Sequence, residues 1–204
     1  MNELYRALGD INCIRKQMAS ATEFRGYGPA TLATTSAFAV LAAFVQQRFV
    51  SDAASHRSAY LVIWISTAAL CCALTGAQMF TRSRRIHSAL SDEMIRMAVE
   101  QFLPSLGAGL LLTLVLTHYV PHSAWMLPGM WQIVFSLGIF SSCRFLPRPM
   151  IAAGTWYLLT GLACIAIGGP RALSPWAMGV PYGVGQLLVA AILLFSTLEA
   201  PDEA

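Results

Sequence analysis

Gln132 and Gln186 are the polar groups of this chain best placed to act away from water, because each lies within a long apolar run. A side-chain amide carries two N–H donors and a carbonyl acceptor. In hydrocarbon all of them need partners, so each glutamine must face another helix, trapped water or a ligand. The first reading is a hydrogen bond between helices, worth about 1 kcal/mol or less. The functional alternative is one polar pocket near the outer leaflet, lined by Gln132, Gln186, Trp131 and Tyr182 and open to an uncharged or lipophilic solute.

The histidines point less clearly to chemistry. His118 and His122 read HYVPH, and on an unbroken helix that spacing would bring both rings to one face, where they could hold a metal. Pro121 argues against such a helix, and no Cys, Asp or Glu stands beside the pair to complete a site. Two interfacial histidines are the better explanation, and haem or quinone redox chemistry ranks third among the functional readings. There is no HExxH, no GxSxG and no glycine-rich phosphate loop, and no ionisable relay lies inside the apolar runs. The expectation is therefore no catalytic residue, no metal and no cofactor.

Six apolar stretches must position these groups: Thr31 to Gln47, Tyr60 to Phe80, Phe102 to Thr117, Trp125 to Cys143, Met150 to Gly169 and Trp176 to Thr197. None has a Lys, Arg, Asp or Glu in its central part. A helix needs roughly 20 residues to cross about 30 Å of hydrocarbon. A chain of 204 residues that is 56% hydrophobic and 11% charged, with mean hydropathy +0.60, fits that architecture. The expected fold class is all-α: a polytopic membrane protein with six transmembrane helices in three hairpins and two cytoplasmic amphipathic helices.

Charge sets the expected orientation. Arg6, Arg15, Lys16, Arg25, Arg82, Arg84, Arg85, Arg96, Arg144 and Arg148 fall on one side, and Arg48, Arg57 and Arg171 on the other. By the positive-inside rule both termini are cytoplasmic, as an even number of spans requires, and the location is the bacterial inner membrane. The first 30 residues mix acids with bases and lack a continuous apolar core, unlike a cleaved signal peptide. The net charge of +3 is read as a topology signal, without a nucleic-acid footprint. No cysteine falls in an outer loop, so no disulfide framework is expected.

Residues 1–28 are read as a cytoplasmic amphipathic helix and turn, with Leu4, Leu8, Ile11, Ile14 and Met18 at helical spacing. Residues 29–199 form the membrane domain and 200–204 a disordered acidic tail. Within the domain, segment 81–101 carries the stripe Ile86, Leu90, Met94 and Met97, with Ser91, Asp92 and Glu93 resembling a helix start. Pro104 is compatible with either a kink or a new helix start. Two glycine pairs, Gly179 with Gly183 and Gly154 with Gly161, suggest close helix packing.

One reading has spans three and four repeating in spans five and six. Gly107, Leu111, Leu112 and Thr113 match Gly154, Leu158, Leu159 and Thr160, and Gly129 and Gln132 match Gly183 and Gln186; coincidence is the competing account. The function expected from all this is non-catalytic: an interaction, sensory or accessory subunit acting through its cytoplasmic helices. Its partners would be the lipid bilayer and a cytoplasmic or membrane protein, with an oligomer compatible. A small transporter or channel for an uncharged or lipophilic solute is the alternative.

Overall fold

The computed structural model describes residues 28–50, 52–86, 89–143 and 148–198; the side chains of 29, 82–99 and 196–198 also lie outside the described residues. Six long helices dominate: α1 Pro29–Phe49, α2 Arg57–Ile86, α3 Ala89–His118, α4 Leu127–Ser142, α5 Met150–Ile167 and α6 Pro175–Leu198. Two short helical turns, Pro121–Met126 and Gly169–Ala172, lie between them. Six helical segments are long and apolar enough to span a membrane, within a few residues of the six runs read from sequence. No strand occurs among the described residues.

Each helix packs chiefly against its neighbours in the chain, and α6 returns to α1, so the six form a ring in chain order. The ring is uneven. Contact is densest between α1 and α6 and between α4 and α5, while α2 and α3 touch only lightly.

Small residues explain the dense seams. A Cβ on Gly179 would come within 2.6 Å of the Ala43 Cβ, and one on Gly183 within 3.0 Å of Val40, so α6 lies almost directly on α1. Gly129 and Gly161 meet back to back, a Cβ on either coming within 2.8 Å of the other's carbonyl oxygen. Gly154 leaves room for the Phe140 ring. Close backbone approach at these glycines supplies dispersion contact between the helices.

The stripe Leu32, Thr35, Ser36, Ala39, Ala42, Ala43 and Gln46 buries one face of α1. By contrast α3 shows Leu103, Leu106, Leu110, Leu111 and Leu114 at its surface. So large an exposed apolar surface is compatible with a lipid-facing side.

Pro104, left open by the sequence between a kink and a helix start, sits inside a continuous α3, and the segment 81–101 is divided between the ends of α2 and α3. Once a helix is under way, continuing it costs less than nucleating another, and only residues 87–88 separate the two. The fifth span stops at Ile167 because Gly168 and Gly169 take φ of 66° and 59°, a left-handed reversal that favours glycine. The side chains of the stripe Ile86, Leu90, Met94 and Met97, the amphipathic segment of residues 1–27 and the acidic tail lie outside the described residues.

Candidate functional site

Polar side chains tie the ring together from inside. Gln46, fully buried near the end of α1, donates from Nε2 to the Leu173 carbonyl (2.8 Å) and accepts from the Trp64 indole of α2 (2.7 Å). One amide thus joins α1, α2 and the connection into α6. Ser36 donates to the Gly183 carbonyl (2.8 Å), and the Trp156 indole donates to the Pro181 carbonyl (3.0 Å).

Gln132 has a specific task. Its Nε2 donates to the Ala177 carbonyl of α6 at 2.9 Å. In a regular helix that carbonyl would accept the N–H of residue 181, but residue 181 is proline and has none. Gln132 of α4 therefore supplies the donor that Pro181 removes, which matters most where no water can do so. Its Oε1, also buried, has no hydrogen-bond partner in the protein.

Gln186 is engaged elsewhere. Its Oε1 lies 3.4 Å from the Thr35 hydroxyl of α1, sharing a hydrogen that goes chiefly to the Leu32 carbonyl at 2.8 Å. Ala177 and Gln186 lie nine residues apart on α6, or about 13 Å along its axis at 1.5 Å per residue, so the two glutamines are anchored at different depths against different helices. Trp131 donates its indole N–H to Thr113 of α3 at 2.8 Å. Of the four residues read as lining one pocket, Tyr182 lies nearest the middle of the bundle, between the two hydrophobic clusters of the core.

Around Tyr182 the structure assembles aromatic rings from three helices. Phe135 of α4 lies 4.8 Å from Tyr157 of α5 and 5.7 Å from Tyr182, and the two tyrosine rings are 5.3 Å apart. Phe102 of α3 adds an edge contact to Phe135 at 5.4 Å. Gly185 makes this possible, because a side chain there would collide with the Tyr157 ring. Tyr60 of α2, 1% exposed, packs with Trp64, Leu173 and Met178 in a cluster that Tyr182 also touches.

Several polar atoms in this interior are left over. The Tyr60 hydroxyl, the Ser136 hydroxyl and Gln132 Oε1 are buried without a partner, and the Tyr157 hydroxyl lies beside Gln186 without a hydrogen bond of ordinary geometry. Ser136 is the most telling. Thr113, Thr155, Thr160 and Ser142 each bond back to the carbonyl four residues earlier, as hydroxyls in membrane helices do, and Ser136 does not. Sequence reading missed Gln46, Tyr60, Ser136 and Tyr157. Gln46 had a signal, an amide at the end of an apolar run; a lone Ser or Tyr in a span has none.

His118 ends α3 and His122 lies in the following helical turn, both exposed, as Pro121 dictates. The paired positions of the suggested repeat have unlike surroundings: a Cβ on Gly107 would meet nothing, whereas one on Gly154 would strike Phe140. No protein-family model matches the chain, and no curated protein or solved structure matches it.

Proposed function

We propose that this chain is a non-catalytic subunit of the bacterial inner membrane, with three helical hairpins and cytoplasmic termini, that acts by holding a protein partner. One observation carries the reading. α2 and α3 are each 30 residues long, about 45 Å at 1.5 Å per residue, against about 30 Å of hydrocarbon. Each has about 10 residues more than a crossing needs. The surplus lies beside the 87–88 connection, where sequence places Arg82, Arg84, Arg85 and Arg96 and the stripe Ile86, Leu90, Met94 and Met97. The positive-inside rule makes that end cytoplasmic. An apolar stripe projecting beyond the bilayer on two helices that touch each other only lightly suits docking.

A solute path lined by both glutamines draws less support, since they are held about 13 Å apart along α6. The test joins topology to docking. Reporter fusions in the connections 50–56, 119–126 and 168–174 should report the periplasm, and fusions after Leu198 the cytoplasm. A photo-crosslinking residue at Leu90 should capture a discrete partner in cells, lost when Ile86, Leu90 and Met94 become Ser. A periplasmic C-terminus, or full cellular function in the triple variant, would reject the reading.

A further inference from the structure

At the end of the bundle that carries the connections 50–56, 119–126 and 168–174, the Phe44 ring of α1 meets the Trp176 ring of α6 edge to face, 5.2 Å between centroids. Both rings are exposed. An exposed apolar stripe runs down each helix from this pair: Leu41 and Ala33 share the Phe44 face of α1, and Val180 and Leu187 share the Trp176 face of α6. From Phe44 to Ala33, and equally from Trp176 to Leu187, the fall is about 17 Å at 1.5 Å per residue. One leaflet is about as deep, half of roughly 30 Å of hydrocarbon.

A cation stands at the head of this strip. Arg48 lies one helical turn beyond Phe44 on the same exposed face of α1, and its guanidinium is 6.0 Å from the centroid of the Phe49 ring. Stacking of that kind uses the flat face of the group and leaves the N–H donors around its edge. Arg48 forms no ion pair among the described residues. Asp52 is the only acid in the three connections at this end, and its carboxylate already accepts from the Ser55 hydroxyl and the Ala54 N–H.

We propose that this face binds an anionic phospholipid of the adjoining leaflet, with its phosphate on Arg48, its glycerol beside Phe44 and Trp176, and an acyl chain along the strip between α1 and α6. The charges select the headgroup. Arginine edge donors match phosphate oxygens, whereas the ammonium of a zwitterionic lipid would find no free carboxylate at this end. The shape favours lipid over another helix, because Gly179 and Gly183, which allow close backbone approach, are already turned toward α1. This site goes beyond the partner reading but rests on the same placement in a membrane.

The test uses the full chain in phosphatidylcholine nanodiscs, in which a rising fraction of the lipid is replaced by phosphatidylglycerol with brominated chains or, in parallel, by phosphatidylcholine with the same chains. Quenching of tryptophan emission reports occupancy. The Trp176 contribution is the difference between the parent and Trp176→Phe, and discs with equal leaflets make orientation irrelevant. Phosphatidylglycerol should be preferred about fivefold, as expected for one arginine near an anionic surface. Arg48→Gln should remove the preference, and Arg48→Lys should retain most of it. Arg57→Gln takes the same charge from the same end, but from the face of α2 that carries Tyr60 and Trp64, and should leave the preference intact. Equal quenching of Trp176 by both lipids in the parent, a preference surviving in Arg48→Gln, or an equal loss in Arg57→Gln would each overturn the proposal. Quenching by neither lipid would overturn the membrane placement itself, and the site with it.

Discussion

Replacing Gln132 with Leu isolates the one bond by which α4 repairs a defect in α6. The substitution nearly conserves volume, so no large cavity term enters. It strands the Ala177 carbonyl, which accepts from Gln132 at 2.9 Å and receives no N–H from Pro181. An orphaned carbonyl costs about 1–3 kcal/mol; removing the unpartnered Oε1 returns part of this, for a net loss of about 1–2 kcal/mol. The decisive experiment is a double-mutant cycle with Pro181→Ala. Alanine at 181 has an N–H that can bond to the Ala177 carbonyl, so in that background Gln132→Leu should cost less than about 0.5 kcal/mol. Equilibrium unfolding in mixed micelles should therefore give a coupling of about 1–2 kcal/mol, whereas independent sites add to within about 0.5 kcal/mol. Additive losses would refute the account of Gln132 as the donor that proline removes.

Gly161→Val should destabilise by at least about 3 kcal/mol, since even a Cβ there would lie 2.8 Å from the Gly129 carbonyl oxygen; Gly107→Ala, with open space around it, should be neutral or slightly stabilising in the same unfolding assay. Gln46→Leu should cost about 2–4 kcal/mol by stranding both the Trp64 indole and the Leu173 carbonyl, and should shift the Trp64 emission, while Gln47→Leu at the exposed neighbouring position should change stability by less than about 0.5 kcal/mol. In the α1–α2 loop, the Ser55 hydroxyl, then the backbone N–H groups of Ser55 and Ala54, hold the exposed Asp52 carboxylate below its usual range. A lowered folded pKa means the turn's stabilisation is complete above the ordinary carboxylate value of about 3.9 and is lost as pH falls through the folded value. Exchange of the Ala54 and Ser55 amides, slow at pH 6 relative to intrinsic rates, should lose its protection only below about pH 4. Protection persisting at pH 2, or the same profile in Asp52→Ala, would contradict this.

The six long apolar helices were legible in the sequence because a length and polarity sufficient to cross a bilayer are carried by composition alone, as in the run Met150 to Ile167. The prolines were legible only in part. Pro121 broke the histidine spacing as its missing N–H requires, yet Pro104 lies within a continuous helix, because a neighbouring context decides whether a proline ends a helix or is carried by it. The glycine pairs were read correctly as contact surfaces, but not which helix would cover them: α6 lies on α1, some 140 residues away in sequence, and an apolar stripe does not encode its own partner. The interior could not have been read at all. Gln132 and Gln186 look equivalent in their GxxQ settings, and only the packed ring sends one to a proline-freed carbonyl and the other to Thr35. Ser136 and Tyr60 are ordinary residues in ordinary spans until their helices close and leave their hydroxyls without partners. Hydrophobic length is a local property that each segment declares for itself; hydrogen-bond satisfaction belongs to pairs of groups from distant segments, and only the tertiary structure settles which groups meet.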